Sequence, residues 1–174
     1  MIRAVFPGTF DPIHYGHIDI AERASRLFDE VVVAVYDQPL KKILFPPEKR
    51  IELVKIALKP IPNIKTVGYS GLTVDFCQKI DAQVIVRGLR VFSDFEYEFR
   101  MALANHSLAP NIEVVALITN KDHSFLSGST VREIAALDGD VSSMVPKYVE
   151  KALQDRFKEL GSDQSIMPHT SPRD

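Results

Sequence analysis

The sequence predicts an open α/β sheet of about five parallel strands with helices on both faces. Three observations carry that expectation. Short apolar runs rich in β-branched residues (2–6, 31–36, 64–67, 84–86 and 112–117) alternate with segments of helical period. The runs 31–36 and 84–86 are continuously apolar and the others largely so, as in strands buried on both faces of a parallel sheet. Right-handed crossovers through the intervening helices wind such an alternation into a covered open sheet.

The elements follow in order. The first strand ends at Phe6, because Pro7 and Gly8 stop it. A helix over 17–28 sets Ile20, Ala24 and Leu27 on one face. The next, 47–58, opens with Pro47 and repeats Ile51, Val54 and Leu58. A short helix is expected over 73–80. The helix over 95–106 repeats Phe95, Phe99, Ala102 and Leu103, with Ser93 and Glu96 at capping-box spacing before it. Thr130 and Glu133 repeat that spacing ahead of Val131, Ile134 and Leu137, and a last helix covers 146–160. Residues 161–174, rich in Ser, Pro and charge, read as a disordered tail. Residues 1–160 then form a single domain. In such sheets ligands bind beyond the carboxyl ends of the strands, at the point where strand order reverses. The end of the first strand is the first place to look.

Composition narrows the function. Of 174 residues, 45% are apolar and 25% charged, an ordinary globular balance. A net charge of −2 argues against a duplex nucleic-acid binder. The single cysteine, Cys77, excludes an internal disulfide and reads as a small buried hydrophobe. No run approaches the ~20 apolar residues of a membrane span, and no signal-peptide pattern opens the chain. A cytoplasmic, reducing location is the expectation.

The strongest chemical signal is the stretch from Pro7 to His17. Asp11 and Pro12 favour a turn, and Gly16 and His17 open a helix whose free N–H groups and dipole suit a phosphate. His17 there can donate from a ring nitrogen to a phosphoryl oxygen. Thr9 supplies a hydroxyl at the strand end, and Gly16 lets a flat ring approach the backbone. The stretch His14-Tyr15-Gly16-His17 resembles the H-x-G-H signature of the nucleotidyltransferase superfamily. The longer string Pro7-Gly8-Thr9-Phe10-Asp11-Pro12 resembles the phosphopantetheine adenylyltransferases more closely. That family commonly has Thr where this chain has His14, whose role the sequence leaves open.

Further motifs extend the resemblance. Lys41 and Lys42 follow the second strand. On their own they read as a solvated pair, but the resemblance implies that Lys41 holds the acceptor phosphate, as a flexible ammonium can. Arg87-Gly88-Leu89-Arg90 follows the fourth strand. Its arginines suit the phosphates of ATP and acceptor, or else ion pairs with Asp94, Glu96 or Glu98. With Asp94-Phe95-Glu96-Tyr97-Glu98 it resembles the family's R-G-L-R…D-F-E-Y-E segment. That implies Arg87 on the acceptor, Gly88, Leu89 and Arg90 on ATP, and Glu98 on the nucleotide. Ser70-Gly71-Leu72-Thr73-Val74-Asp75-Phe76 also aligns, with Thr73 at the family's acceptor-binding position, where a larger apolar residue is often found. His123-Ser124-Phe125-Leu126-Ser127-Gly128-Ser129 precedes a helix start, where hydroxyls and N–H groups form an anion cradle or plain caps. With Arg132 in the first turn of that helix, it resembles the superfamily's second signature, I-S-S-T-x-x-R, and the family's W-S-F-I-S-S-S form, with His123 in place of Trp and Gly128 in place of Ser.

The resemblance implies a Rossmann-like nucleotidyltransferase domain that moves the adenylyl group of ATP to 4′-phosphopantetheine, giving dephospho-coenzyme A and pyrophosphate by in-line displacement. It implies Thr9, His17 and Lys41 as catalytic residues. ATP would be held by Thr9, Phe10, His17, Gly88 to Arg90, Glu98 and the segment His123, Ser124, Phe125, Leu126, Ser127, Gly128 and Ser129. The acceptor would meet Thr9, Lys41, Thr73 and Arg87. Mg²⁺, held mainly by ATP phosphates, is the implied cofactor, and a homohexamer the implied assembly. Two alternatives remain: an adenylyltransferase for another acceptor such as nicotinamide mononucleotide, and a catalytically inactive nucleotide sensor.

Overall fold

The computed structural model of the protein describes residues 1–39 and 42–161, and of Ser93 the backbone alone. Lys41 and the expected tail, apart from Gly161, lie outside the described residues.

Five strands, β1 (Arg3–Gly8), β2 (Glu30–Tyr36), β3 (Ile64–Tyr69), β4 (Val84–Leu89) and β5 (Glu113–Ile118), form one parallel sheet in the order β3-β2-β1-β4-β5. The helices are α1 (Tyr15–Ser25), α2 (Pro47–Leu58), α3 (Thr73–Lys79), α4 (Phe92–Leu108), α5 (Gly128–Ala136) and α6 (Lys147–Leu160), with a 3₁₀ turn at Lys121–His123. Alternate strand residues face opposite ways. Phe6, Val31, Val33, Val35 and Val86 pack against α1, α2, α5 and α6. Val5, Val32, Ala34 and Ile85 pack against α3 and the residues after α4. Both faces are thus covered.

β1 runs two residues beyond the expected end. Pro7 and Gly8 continue the ladder to Ala34 and Val35 of β2. Proline is tolerated because of where its nitrogen lies. The Pro7 carbonyl accepts from Arg87 Nη1 at 3.2 Å, on the β4 side, and a strand residue's nitrogen shares the side of its carbonyl. On that side the ladder has already ended, since β1 meets β4 only at Ala4↔Val84 and Val5↔Ile85. Beyond Val5 the two central strands part, and the crevice of the reversal point opens there.

Several helix boundaries differ from expectation for capping reasons. α1 begins at Tyr15 because His14 caps it, and it ends at Ser25, which leaves Leu27 exposed. α4 begins at Phe92 behind Val91, so Ser93 lies inside the helix and is not its cap. α5 is capped by Ser127, whose Oγ accepts from Thr130 N at 3.0 Å, three residues before the expected start. The apolar stripe of α4 does not reach the core: Phe95, Phe99 and Leu103 are each more than half exposed, and Phe92 is 89% exposed.

Candidate active site

After Gly8 the chain turns through Phe10, whose φ of 51° is left-handed. The Phe10 ring enters the core, edge-on to Phe6 at 5.5 Å and to His17 at 4.9 Å between centroids. A Cβ on Gly8 would stand 2.9 Å from that ring, so only glycine fits the turn. Phe10 can therefore meet a ligand only through its backbone. His14 then caps α1: its Nδ1 accepts from His17 N, and His17 Nδ1 accepts from His14 N at 3.3 Å. An Nδ1 that accepts leaves the proton of a neutral imidazole on Nε2. His17 is thus arranged as an Nε2–H donor at the N-terminus of a helix, beside the parted strands.

Three buried charged groups fix the loops around this helix start. Asp11 is 3% exposed and accepts from Leu44 N at 2.6 Å and Phe45 N at 2.9 Å, which ties the segment before α2 to the first loop. Arg50 of α2 is fully buried and donates to the carbonyls of Thr9 and Tyr36, each at 2.7 Å, and to that of Phe45 at 3.1 Å. Arg132 of α5 donates to the Asp11 carbonyl and stands 3.5 Å from its carboxylate. A Cβ on Gly128 would lie 3.1 Å from that same carbonyl. Glycine in place of serine at this position lets the start of α5 close onto the first loop.

The arginines of β4 and its exit are held in ion pairs. Arg87 makes a two-pronged pair with Glu98 at 2.7 and 2.6 Å. Arg90 pairs likewise with Asp94 at 3.0 and 3.2 Å and donates to the Leu126 carbonyl at 2.9 Å, which joins β4 to the segment before α5. Gly88 lies tight against α1, where a Cβ would meet Ile20 at 3.3 Å, and the half-buried Leu89 ends the strand. Thr73 Oγ1 hydrogen-bonds Tyr69 OH at 3.0 Å; burial pushes that phenol up from its ordinary range. Ser129 Oγ accepts from Arg132 Nη2 at 3.3 Å, Ser124 Oγ donates to the Lys121 carbonyl, Leu126 is buried and Phe125 exposed. His123 stacks on Tyr15 at 6.2 Å, and its Nδ1 is buried with no hydrogen-bond partner among the described residues.

The structure thus brings Thr9, Phe10, His17, Gly88, Arg90, His123 and the 126–129 segment to the crevice beyond β1 and β4, with Arg87 and Glu98 beside it. Thr73 stands farther along, at the start of α3. Comparison with known proteins gives this constellation its relatives. The cytidylyltransferase-like family model matches residues 5–134. A phosphopantetheine adenylyltransferase of Dictyoglomus turgidum is 48% identical over 158 residues, covering 91% of this chain and 99% of the relative. One from Gloeobacter violaceus is 50% identical over 88% of this chain and 96% of the relative, and one from Hahella chejuensis 50% over 90% and 98%. The chain belongs to the phosphopantetheine adenylyltransferase family. A crystal structure from Vibrio parahaemolyticus, described as a nicotinate-nucleotide adenylyltransferase, shares the fold with a TM-score of 0.66 at 20% identity, over 88% of this chain and 99% of that one.

Within this adenylyltransferase the sequence reading missed the groups that shape the crevice without facing it. Asp11 reads as a turn former, Arg132 as the first-turn arginine of a signature segment with no structural tie attached to it, and Arg50 not at all. Arg50 did leave a trace. It falls on the apolar stripe of α2, one turn before Val54, where a cation must be fully hydrogen-bonded to be buried.

Proposed function

We infer that the protein transfers the adenylyl group of ATP to 4′-phosphopantetheine, releasing pyrophosphate and forming dephospho-coenzyme A. The observation that carries this is identity near one half to phosphopantetheine adenylyltransferases across almost their whole length. The acceptor phosphate attacks the α-phosphorus in line and pyrophosphate leaves. No covalent enzyme intermediate is needed, because the acceptor is itself an anionic nucleophile. Repulsion between the two anions is the barrier the protein must lower, by oriented donors and cations. The His17 Nε2–H donates to the α-phosphoryl oxygens as charge grows on them. Thr9 and Lys41 orient the acceptor phosphate, with Thr73 and Arg87 on the acceptor side. Gly88 to Arg90, Glu98 and the segment from His123 to Ser129 hold the nucleotide. The Arg87–Glu98 and Arg90–Asp94 pairs keep both guanidinium planes fixed near the crevice mouth. ATP enters as its Mg²⁺ complex, the ion held by phosphates and water.

We also propose a cytoplasmic, symmetric homo-oligomer, a hexamer by family resemblance. The exposed stripe Phe92, Phe95 and Phe99, stacked at 6.4 and 5.8 Å, supports a subunit contact on α4. Among the described residues no helix is long and apolar enough to cross a membrane.

Incubation with MgATP and 4′-phosphopantetheine, or nicotinamide mononucleotide, with pyrophosphate as the readout, tests the reaction. Release with phosphopantetheine alone is expected. Release only with the mononucleotide, or nucleotide binding without turnover, would overturn the reading.

A further inference from the structure

The capping histidine of α1 opens the H-x-G-H stretch, and the reaction assigns nothing to it. His14 is 4% exposed. Its ring lies over that of His17 with 3.6 Å between centroids and 22° between planes. Its Nδ1 accepts from His17 N at 3.4 Å, the longer arm of a donor shared with the His14 carbonyl at 2.9 Å. Gly16 makes room for it, since a Cβ there would stand 3.1 Å from both Cε1 and Nδ1 of the His14 ring. The His17 ring also meets the edge of Phe10. His17 is thus confined between a core phenylalanine and a stacked imidazole. Among the described residues, the charged and titratable groups that face His14 are His17 on α1, Arg90 at the exit of β4 and His123 in the 3₁₀ turn.

We propose that His14 is a positioning residue: its neutral imidazole caps α1 and stacks on His17, and so holds His17 in one orientation and one tautomer, with the proton on Nε2. The chemistry is reciprocal. Both Nδ1 atoms are acceptors of backbone N–H groups, so a proton on either would set donor against donor. A cation on His14 would also stack on the His17 ring, beside Arg90. Burial, then His17, Arg90 and His123, hold His14 well below the usual imidazole range and keep it neutral. The consequence for turnover rests on the reading of His17 as the phosphoryl donor; the tautomer does not.

Two variants and one spectrum test this. His14→Asn keeps an acceptor oxygen near the Nδ1 position and a flat face, but cannot titrate; His14→Ala keeps neither. ¹⁵N NMR of the parent should show His17 as the Nε2–H tautomer, and in His14→Ala as a mixture. At about pH 8, above the imidazole range, His14→Asn should keep kcat within about three-fold. His14→Ala should lose about ten-fold in kcat with little change in either KM, the mark of an interaction made in the transition state. The acid limb of the pH–rate profile should extend to lower pH in His14→Asn. An Nδ1–H tautomer in the parent, an unchanged spectrum in His14→Ala, or an undiminished kcat in that variant would overturn the proposal. Equal loss in both variants would overturn it too, since the imidazole itself would then meet the phosphates. If the parent releases no pyrophosphate, the reaction is wrong, and the spectra still decide His14.

Discussion

At the scale of single residues, charge is used here in two ways, and substitution separates them. In the proposed reaction His17 faces developing charge. Removing one such donor costs ~10²–10³ in rate with far less effect on ground-state binding. His17→Ala should therefore lose that much kcat while calorimetry with a non-hydrolysable ATP analogue changes little; turnover within a few-fold of the parent would remove the assigned role. Asp11 instead faces other protein groups: two backbone N–H donors and the buried Arg132. Asp11→Asn leaves a buried guanidinium without its carboxylate, a loss of about 3 kcal/mol. Asp19→Asn breaks an i,i+4 pair with the 37%-exposed Arg23 side chain and should cost at most about 0.5 kcal/mol. Urea unfolding of the two variants checks the contrast, and equal midpoints would refute it.

At the scale of elements, α1 starts on a group that must stay uncharged. His14 titrates near 6.5 in the unfolded chain and well below that when folded, through burial first and then His17, Arg90 and His123. Between those two pKa values the unfolded chain holds more protons, so stability rises with pH there and is level above about 6.5. Acidification below about 6.5 should lower Tm in the parent and do so less steeply in His14→Asn; parallel slopes would contradict this. The sequence displays such elements unevenly. All five strands are legible because each is a run of β-branched residues between turn formers. α2 is legible to the residue because Pro47 marks its start. The cap of α1 is not, because histidine rarely caps and the reciprocal bonds with His17 depend on ring geometry. The stripe of α4 is legible as apolar but not as exposed, since periodicity says which face is apolar and not what covers it. In the crevice, the groups set by the H-x-G-H and R-G-L-R motifs are legible. Asp11, Arg50 and Arg132 act through partners far along the chain, which no local pattern records.

At the scale of the whole molecule, the uncovered α4 stripe gives the proposed assembly a handle. Phe95→Asp should split the oligomer toward monomer by light scattering while the circular dichroism of the subunit is kept; an undisturbed assembly would move the contact elsewhere. The buried ties of the crevice have a different reach. They join residues 33, 34, 41 and 121 positions apart. Closing such long loops is entropically costly and happens only when the intervening strands and helices are already in place. Local caps and pairs shape parts of the crevice, but these long-range ties close it only in the folded chain. Catalytic competence then works as a gauge of the complete fold, so activity and far-ultraviolet circular dichroism should vanish together along a urea titration. A pocket that failed at much lower urea would mean that Asp11, Arg50 and Arg132 let go while the sheet still stands.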